Sequence, residues 1–213
     1  MTNSNQLAVD KKNIDTILVL DFGSQYTQLI ARRIRELDVF SIILPWDISK
    51  ERIVALNPTG IIISGGPESV TKNNTPRIPK IIFDLDVPIL GICYGMQTLA
   101  EQYGGQVTAS KTKEFGHASI TLEKASTLFH DFDAGSIIDV WMSHGDHVST
   151  LPDQFNLIAS TPSAPIAAMA HSEKPIYALQ FHPEVTHTKE GNVVLENFVF
   201  KICNCQAQWK MDN

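Results

Sequence analysis

The first hundred residues alternate between short apolar runs and segments whose apolar residues recur every three or four positions. "TILVLDF" (16–22), "VFSIILP" (39–45), "GIIISGGP" (60–67) and "VPILGIC" (87–93) read as four strands. Between them, Tyr26, Ile30, Ile34 and Leu37 fall on one helical face, with Arg32, Arg33 and Arg35 interleaved. A short helix at 48–57 is stopped by Pro58, and another lies around 77–85. Met96, Leu99, Ala100 and Tyr103 share a face of a fourth helix. Strands with no polar face, separated by helices, predict a parallel sheet covered on both sides.

After residue 105 the pattern changes. "SITLEKA", "SIIDVWMSH", "FNLIASTP", "PIAAMAH" and "PIYALQFHPE" read as strands divided by Gly, Pro, Asn and Asp. They predict antiparallel strands added to the sheet or folded beside it. In "VVLENFVFKIC", Leu195, Phe198, Val199 and Ile202 lie on one helical face. No repeat, low-complexity stretch or domain boundary interrupts the chain, so one domain is expected over 15–206. It is preceded by a flexible extension, 1–14, and followed by a tail, 207–213.

Composition narrows the function classes. A chain of 213 residues buries roughly 70% of its unfolded surface and needs no disulfide or metal to fold. The formal net charge of −6 argues against nucleic acid as a partner, which would require a basic face. No apolar run approaches the ~20 residues of a membrane span. The polar start "MTNSNQLAVDKKN" has no signal-peptide core. Three cysteines, Cys93, Cys203 and Cys205, form no framework and suit free thiols in a reducing, cytoplasmic setting.

Ligands of parallel sheets bind beyond the carboxyl ends of the strands. Three candidate segments lie there: 21–25, 64–67 and Cys93. "GICYG" (91–95) is the thiol form of a nucleophile elbow, a tight strand-to-helix turn that lifts a side chain above the sheet. The helix that starts there points N–H groups and its positive dipole end at the sulfur, a setting that favours a thiolate. The bland alternative is a small cysteine packed at the sheet. In "QFHPEV" (180–185), His182 and Glu184 lie two apart and share one side of an extended segment stiffened by Pro183. They suit a general base and its orienting acid, or else form an ordinary surface pair. "SGGPES" (64–69) offers close backbone approach through Gly65 and Gly66. Oxyanion donors are favoured there over a phosphate loop, because Pro67 and "TKNNTP" follow where a phosphate loop opens a helix. His144 and His147 form H-x-x-H around Asp146, but no further ligands have suitable spacing, so they are expected as loop residues and no metal is expected. Cys203 and Cys205 read as a thiol pair at a helix end.

Taken together, "CYGMQ", "QFHPEVTHT", "SGGPES", "WMSHGD" and "LDFGSQYTQLIARRIREL" resemble the glutamine amidotransferase domain of the GMP synthetases, over about residues 16–205. "GICYG" and "FHPE" are shared by class I, triad-type glutamine amidotransferases in general. The resemblance implies a flavodoxin-like α/β fold with a central, mostly parallel sheet flanked by helices and extended by antiparallel strands. It implies that Cys93 attacks L-glutamine, that His182 moves the protons and that Glu184 orients His182. By the same resemblance, the N–H groups of Gly66 and Tyr94 form the oxyanion hole. Gln97 faces the substrate, and a turn bearing Ser143, Gly145 and Asp146 holds its α-amino and α-carboxylate groups. No cofactor is implied in this domain. ATP and magnesium belong to a partner ATP pyrophosphatase domain that aminates XMP to GMP and carries its own S-G-G-x-D-S loop. The alternatives are a γ-glutamyl hydrolase or peptidase of the same fold, or a non-catalytic regulatory subunit.

Overall fold

Strands that can be buried on both faces take the middle of the sheet. In the computed structural model, which describes residues 14–210, these are β1 (Thr16–Asp21), β3 (Gly60–Ile63) and β4 (Ile89–Ile92). The edge strand β2 (Phe40–Pro45) is only partly buried. Four more strands follow β4: β5 (Gln106–Leu122), β6 (Ile137–Thr150), β7 (Phe155–Ser160) and β8 (Ala168–His171). The last, β9 (Ile176–Leu179), returns beside β4. The nine strands form one sheet in the order β2-β1-β3-β4-β9-β8-β7-β5-β6. The first five in that order run parallel, and every pairing beyond β9 is antiparallel. The later strands therefore extend the sheet rather than fold beside it.

Alternate residues of the central strands face opposite layers. Ile17 and Val19 of β1 pack with Ile30 and Ile34 of α1 (Thr27–Arg35) and with Val194 and Phe198 near the C-terminus. Leu18 and Leu20 face the other way, onto Ile53 of α2 (Lys50–Leu56), Ile82 of α3 (Lys80–Asp84) and Met96 and Leu99 of α4 (Tyr94–Gln102). The C-terminal helical pattern begins as α5 (Gly191–Glu196) and widens into a π-helix over Asn197–Ile202. Asn197 there is buried and uses Nδ2 on the Leu128 carbonyl and the Asp131 carboxylate.

Three expectations change. First, β5 and β6 are much longer than the strands read from the sequence. They form a two-stranded arm in which residues 110–113 of β5 stand opposite Gly145 alone, between the pairs Ala109↔Asp146 and Glu114↔His144. Second, Ser143, Gly145 and Asp146 consequently lie within strand β6 rather than on a turn, and His144 and His147 are strand residues too. Gly145 reads as a turn signal, but the bulge places it in a ladder. Third, part of the expected tail is docked. Trp209 N–H donates to the Asp38 carbonyl at 2.9 Å, its ring lies 5.8 Å from Phe40, and Arg35 stacks on both rings. Of the expected extension and tail, residues 1–13 and 211–213 lie outside the described residues.

Candidate active site

The register of β4 against β9 assembles the site. Ile92 pairs with Leu179, and Cys93 N–H donates to the Leu179 carbonyl at 2.7 Å. Cys93 therefore sits just past one strand end, beside the start of the "QFHPE" segment. Its backbone is bent to φ 54°, ψ −107°, a region that side-chain-bearing residues rarely occupy. The flanking glycines make this turn possible. A Cβ on Gly91 would lie 2.5 Å from Leu99 Cδ1, and one on Gly95 would lie 2.4 Å from the Ile63 carbonyl oxygen. Strand, turn and α4 thus pack too closely for side chains at either position. The turn is followed directly by α4, whose leading N–H groups lack carbonyls one turn back.

His182 and Glu184 meet Cys93 from the β9 side. His182 Nδ1–H donates to Glu184 Oε1 at 2.7 Å, with both side chains almost fully buried. Burial alone would depress the imidazole pKa. The Glu184 carboxylate and the contact with the Cys93 sulfur outweigh it and hold the pKa well above the ordinary value. The pair is braced from behind. His182 N–H donates to the Trp141 carbonyl at 3.1 Å, and Thr188 Oγ1 donates to the His182 carbonyl at 2.6 Å while accepting from Trp141 N–H at 3.0 Å. Arg33 Nε donates to the Glu184 carbonyl at 3.1 Å, and Tyr26 meets the His182 ring edge-on at 5.1 Å.

The "SGGPES" loop closes the opposite wall. A Cβ on Gly65 would lie 3.3 Å from His182 Cε1 and 3.5 Å from Cys93 Cβ, and one on Gly66 would strike the Phe22 carbonyl at 2.4 Å. Ser64 is fully buried and structural, accepting from Phe22 N–H at 2.9 Å and donating to the Gly65 carbonyl at 2.8 Å. No helix begins at this loop; α3 starts only at Lys80. The geometry is therefore unlike a phosphate loop. Further along, the Ser69 hydroxyl bonds the Asp146 carboxylate.

These segments surround a cavity of about 560 Å³, into which Cys93, His182, Gly66, Tyr94 and Gln97 all open. Ser143, Gly145 and Asp146 line its far side. Every residue nominated from the sequence except Glu184 lines this cavity, and Glu184 stands directly behind His182. The nomination omitted Gln180, whose side chain reaches the Cys93 sulfur, and Phe115 and Lys113 at the cavity wall. Gln180 lies in the bent stretch that follows β9, and the pairing of β9 with β4 brings it beside the sulfur.

Of the two histidines flanking Asp146, His144 has a hydrogen-bonded ring nitrogen, whereas His147 Nδ1 is buried without a hydrogen-bond partner among the described residues. His144 Nδ1–H donates to the Asp146 carbonyl at 2.9 Å, and Nε2 faces Glu114 at 3.0 Å. Among the described residues no group of three or more His, Cys, Asp or Glu side chains is placed to hold a metal ion. Burial is the largest influence on His144 and lowers its pKa. Glu114 and the Asp146 carbonyl oppose it only in part, and His147 adds to the lowering. The folded protein then binds this proton less readily than the unfolded chain. The associated stability is full above about pH 6.5, the ordinary imidazole value, and is lost as pH falls through the folded value. Urea midpoints at pH 7.5 and 5.5 should show a smaller acid loss for His144→Asn than for the unaltered chain. An equal loss would remove His144 from the acid response.

Comparison with known proteins gives the family and the fold. The family model for glutamine amidotransferase class-I matches residues 18–202. Curated GMP synthases (glutamine-hydrolyzing) from Teredinibacter turnerae and Hamiltonella defensa are each 55% identical, covering 92% and 95% of this chain. The chain spans only 39% and 40% of their lengths. Among solved structures, a Thermoplasma acidophilum protein provisionally named as a GMP synthase subunit matches with a TM-score of 0.80 and 37% identity, over 90% of this chain and 94% of that one. A glutamine amidotransferase from Thermotoga maritima shares the fold at a TM-score of 0.69 and 16% identity, over 89% of this chain and 98% of that one. With the family model spanning the sheet from β1 to the C-terminal helix and so enclosing the whole cavity, the chain belongs to the class-I glutamine amidotransferase family.

Proposed function

We propose that this chain hydrolyses L-glutamine to glutamate and ammonia, and that the ammonia serves an ATP pyrophosphatase module that aminates XMP to GMP. The observation that carries the proposal is the strained Cys93 elbow set against the buried His182–Glu184 pair at one cavity wall. Glu184 fixes the imidazole with Nδ1 protonated, which turns Nε2 toward the sulfur. His182 takes the thiol proton, and the sulfur bonds to the side-chain amide carbon of glutamine. The carbonyl oxygen becomes an oxyanion, held by the N–H groups of Gly66 and Tyr94. As the C–N bond breaks, His182 returns a proton to the leaving nitrogen and ammonia departs from a γ-glutamyl thioester. Water then gives a proton to His182 and attacks the thioester, glutamate leaves and the thiol is restored.

Gln97 and the Ser143–Asp146 edge of β6 suit the amino-acid end of the substrate, with Ser69 orienting the Asp146 carboxylate. ATP and magnesium act in the partner module, whose presence is supported by the greater length and the names of the curated relatives. Free, buried thiols suit a cytoplasmic location, and no helix among the described residues is long and apolar enough to cross a membrane.

The purified chain, given glutamine, should release glutamate and ammonia in equal amounts. Given XMP, ATP, magnesium and glutamine it should make no GMP until the ATP pyrophosphatase module is added. Release from γ-glutamyl peptides but not from glutamine would overturn the substrate, and GMP formed by the chain alone would overturn the division of labour.

A further inference from the structure

Gln180 is fully buried immediately after β9, and its two amide ends have unequal neighbours. Nε2 lies 3.6 Å from the Cys93 sulfur, and Oε1 lies 3.3 Å from Gln97 Nε2. Gln97 Nε2 also lies 2.8 Å from the Asp146 carbonyl oxygen. That carbonyl can only accept, so the Gln97 group facing it is the NH2. The same NH2 faces Gln180, so the Gln180 atom there must be its oxygen. The Gln180 NH2 is then left with the sulfur. One backbone carbonyl on β6 thus fixes the direction of two side-chain amides.

The sulfur has a second neighbour, the Ser143 carbonyl at 3.5 Å. A carbonyl can pair with a thiol S–H but offers nothing to a thiolate. An amide N–H behaves oppositely: its bond to a neutral sulfur is weak, and its bond to a sulfur anion is charge-assisted. Once the S–H bond breaks and its proton moves to His182, the electron pair stays on sulfur. The Ser143 contact is then lost and the Gln180 contact strengthens.

We propose that Gln180 is a further catalytic residue, an amide donor to the Cys93 thiolate, held in its donating orientation by Gln97 and the Asp146 carbonyl. It rests on the nucleophile role given to Cys93. It adds a neutral donor, on the β9 side of the sulfur, to the charge supplied by the imidazolium.

The test is the rate at which iodoacetamide alkylates Cys93 in the full chain at pH 7, with the adduct located by mass spectrometry. Gln180→Leu and Gln180→Met remove the N–H with little change in volume. Each should slow alkylation about 3- to 10-fold: loss of one hydrogen bond to a charged group cuts the thiolate population about 10- to 100-fold, and the freed thiolate regains about half of that, on a logarithmic scale, in nucleophilicity. Turnover of glutamine should fall as well, because Gln180 touches the sulfur. Circular dichroism and melting curves identify folded variants. If either folded variant is alkylated at the unaltered rate, the donor role is wrong. Alkylation involves no glutamine, so the outcomes separate. Slowed alkylation in a chain that releases no ammonia keeps the donor role and discards the glutaminase. Unaffected alkylation in a chain that hydrolyses glutamine does the reverse.

Discussion

Cys93→Ala is expected to reduce glutamine hydrolysis by a factor on the order of 10⁴–10⁶, the scale seen when a triad nucleophile is removed. The fold should survive, since only a sulfur atom at the cavity wall is lost. A glutamine-analogue electrophile should label Cys93 and spare the other two thiols. Cys203 and Cys205 are buried, and burial, followed by the neighbouring Cys205, pushes the Cys203 pKa far up and keeps that thiol protonated. An adduct found mainly on Cys203 or Cys205 would refute the assignment. The elbow adds a stability test. Cys93 holds φ 54°, ψ −107° at a cost typical of strained functional residues. Cys93→Gly relieves that strain and should be more stable than Cys93→Ala by about 1 kcal/mol, after allowance for glycine's extra unfolded freedom. Equal urea midpoints for the two variants would show that the turn stores no strain.

His182→Ala should lose nearly as much activity as Cys93→Ala, whereas Glu184→Gln should retain more. The imidazole moves every proton in the proposed cycle, while Glu184 acts through it. The amide of Glu184→Gln keeps the shape but removes the charge that, against burial, holds the His182 pKa high. A loss on the order of 10²–10⁴ in turnover is expected for a weakened orienting acid. The same variant carries a pH signature. The folded His182 pKa lies above the unfolded value of about 6.5, so the stability from its pairing is fully present below 6.5 and fades as pH rises through the folded value. Glu184→Gln should therefore cost more stability at pH 6 than at pH 9, measured by urea unfolding. Unchanged turnover in His182→Ala would remove the triad mechanism altogether.

The parallel half of the sheet was legible along the chain because its strands are buried on both faces and must be apolar throughout. β1, β3 and β4 announce themselves in this way. The elbow was legible for a similar local reason. Two glycines around Cys93 mark a turn packed against helix and strand, and the tertiary structure supplies the clashes that any Cβ there would make. His182 and Glu184 were visible as a pair from their spacing, although the segment that carries them bends after β9 rather than running extended.

The β5–β6 arm was hidden. Residues 106–118 are largely polar, and their extended form comes from pairing with β6. The register of that pairing turns "SHGD" from an apparent turn into a strand edge. It also brings the Asp146 carbonyl onto Gln97, which is buried although only Met96, Leu99, Ala100 and Tyr103 form an obvious apolar face of α4. The direction of the Gln180 amide depends on Gln97 and on a carbonyl of β6, three segments with no sequence relation to one another. Local backbone and burial demands are written in neighbouring residues, and these nominated Cys93, His182 and Glu184. Their meeting is a non-local event, produced when Ile92 of β4 pairs with Leu179 of β9 and brings two distant strand ends to the same point.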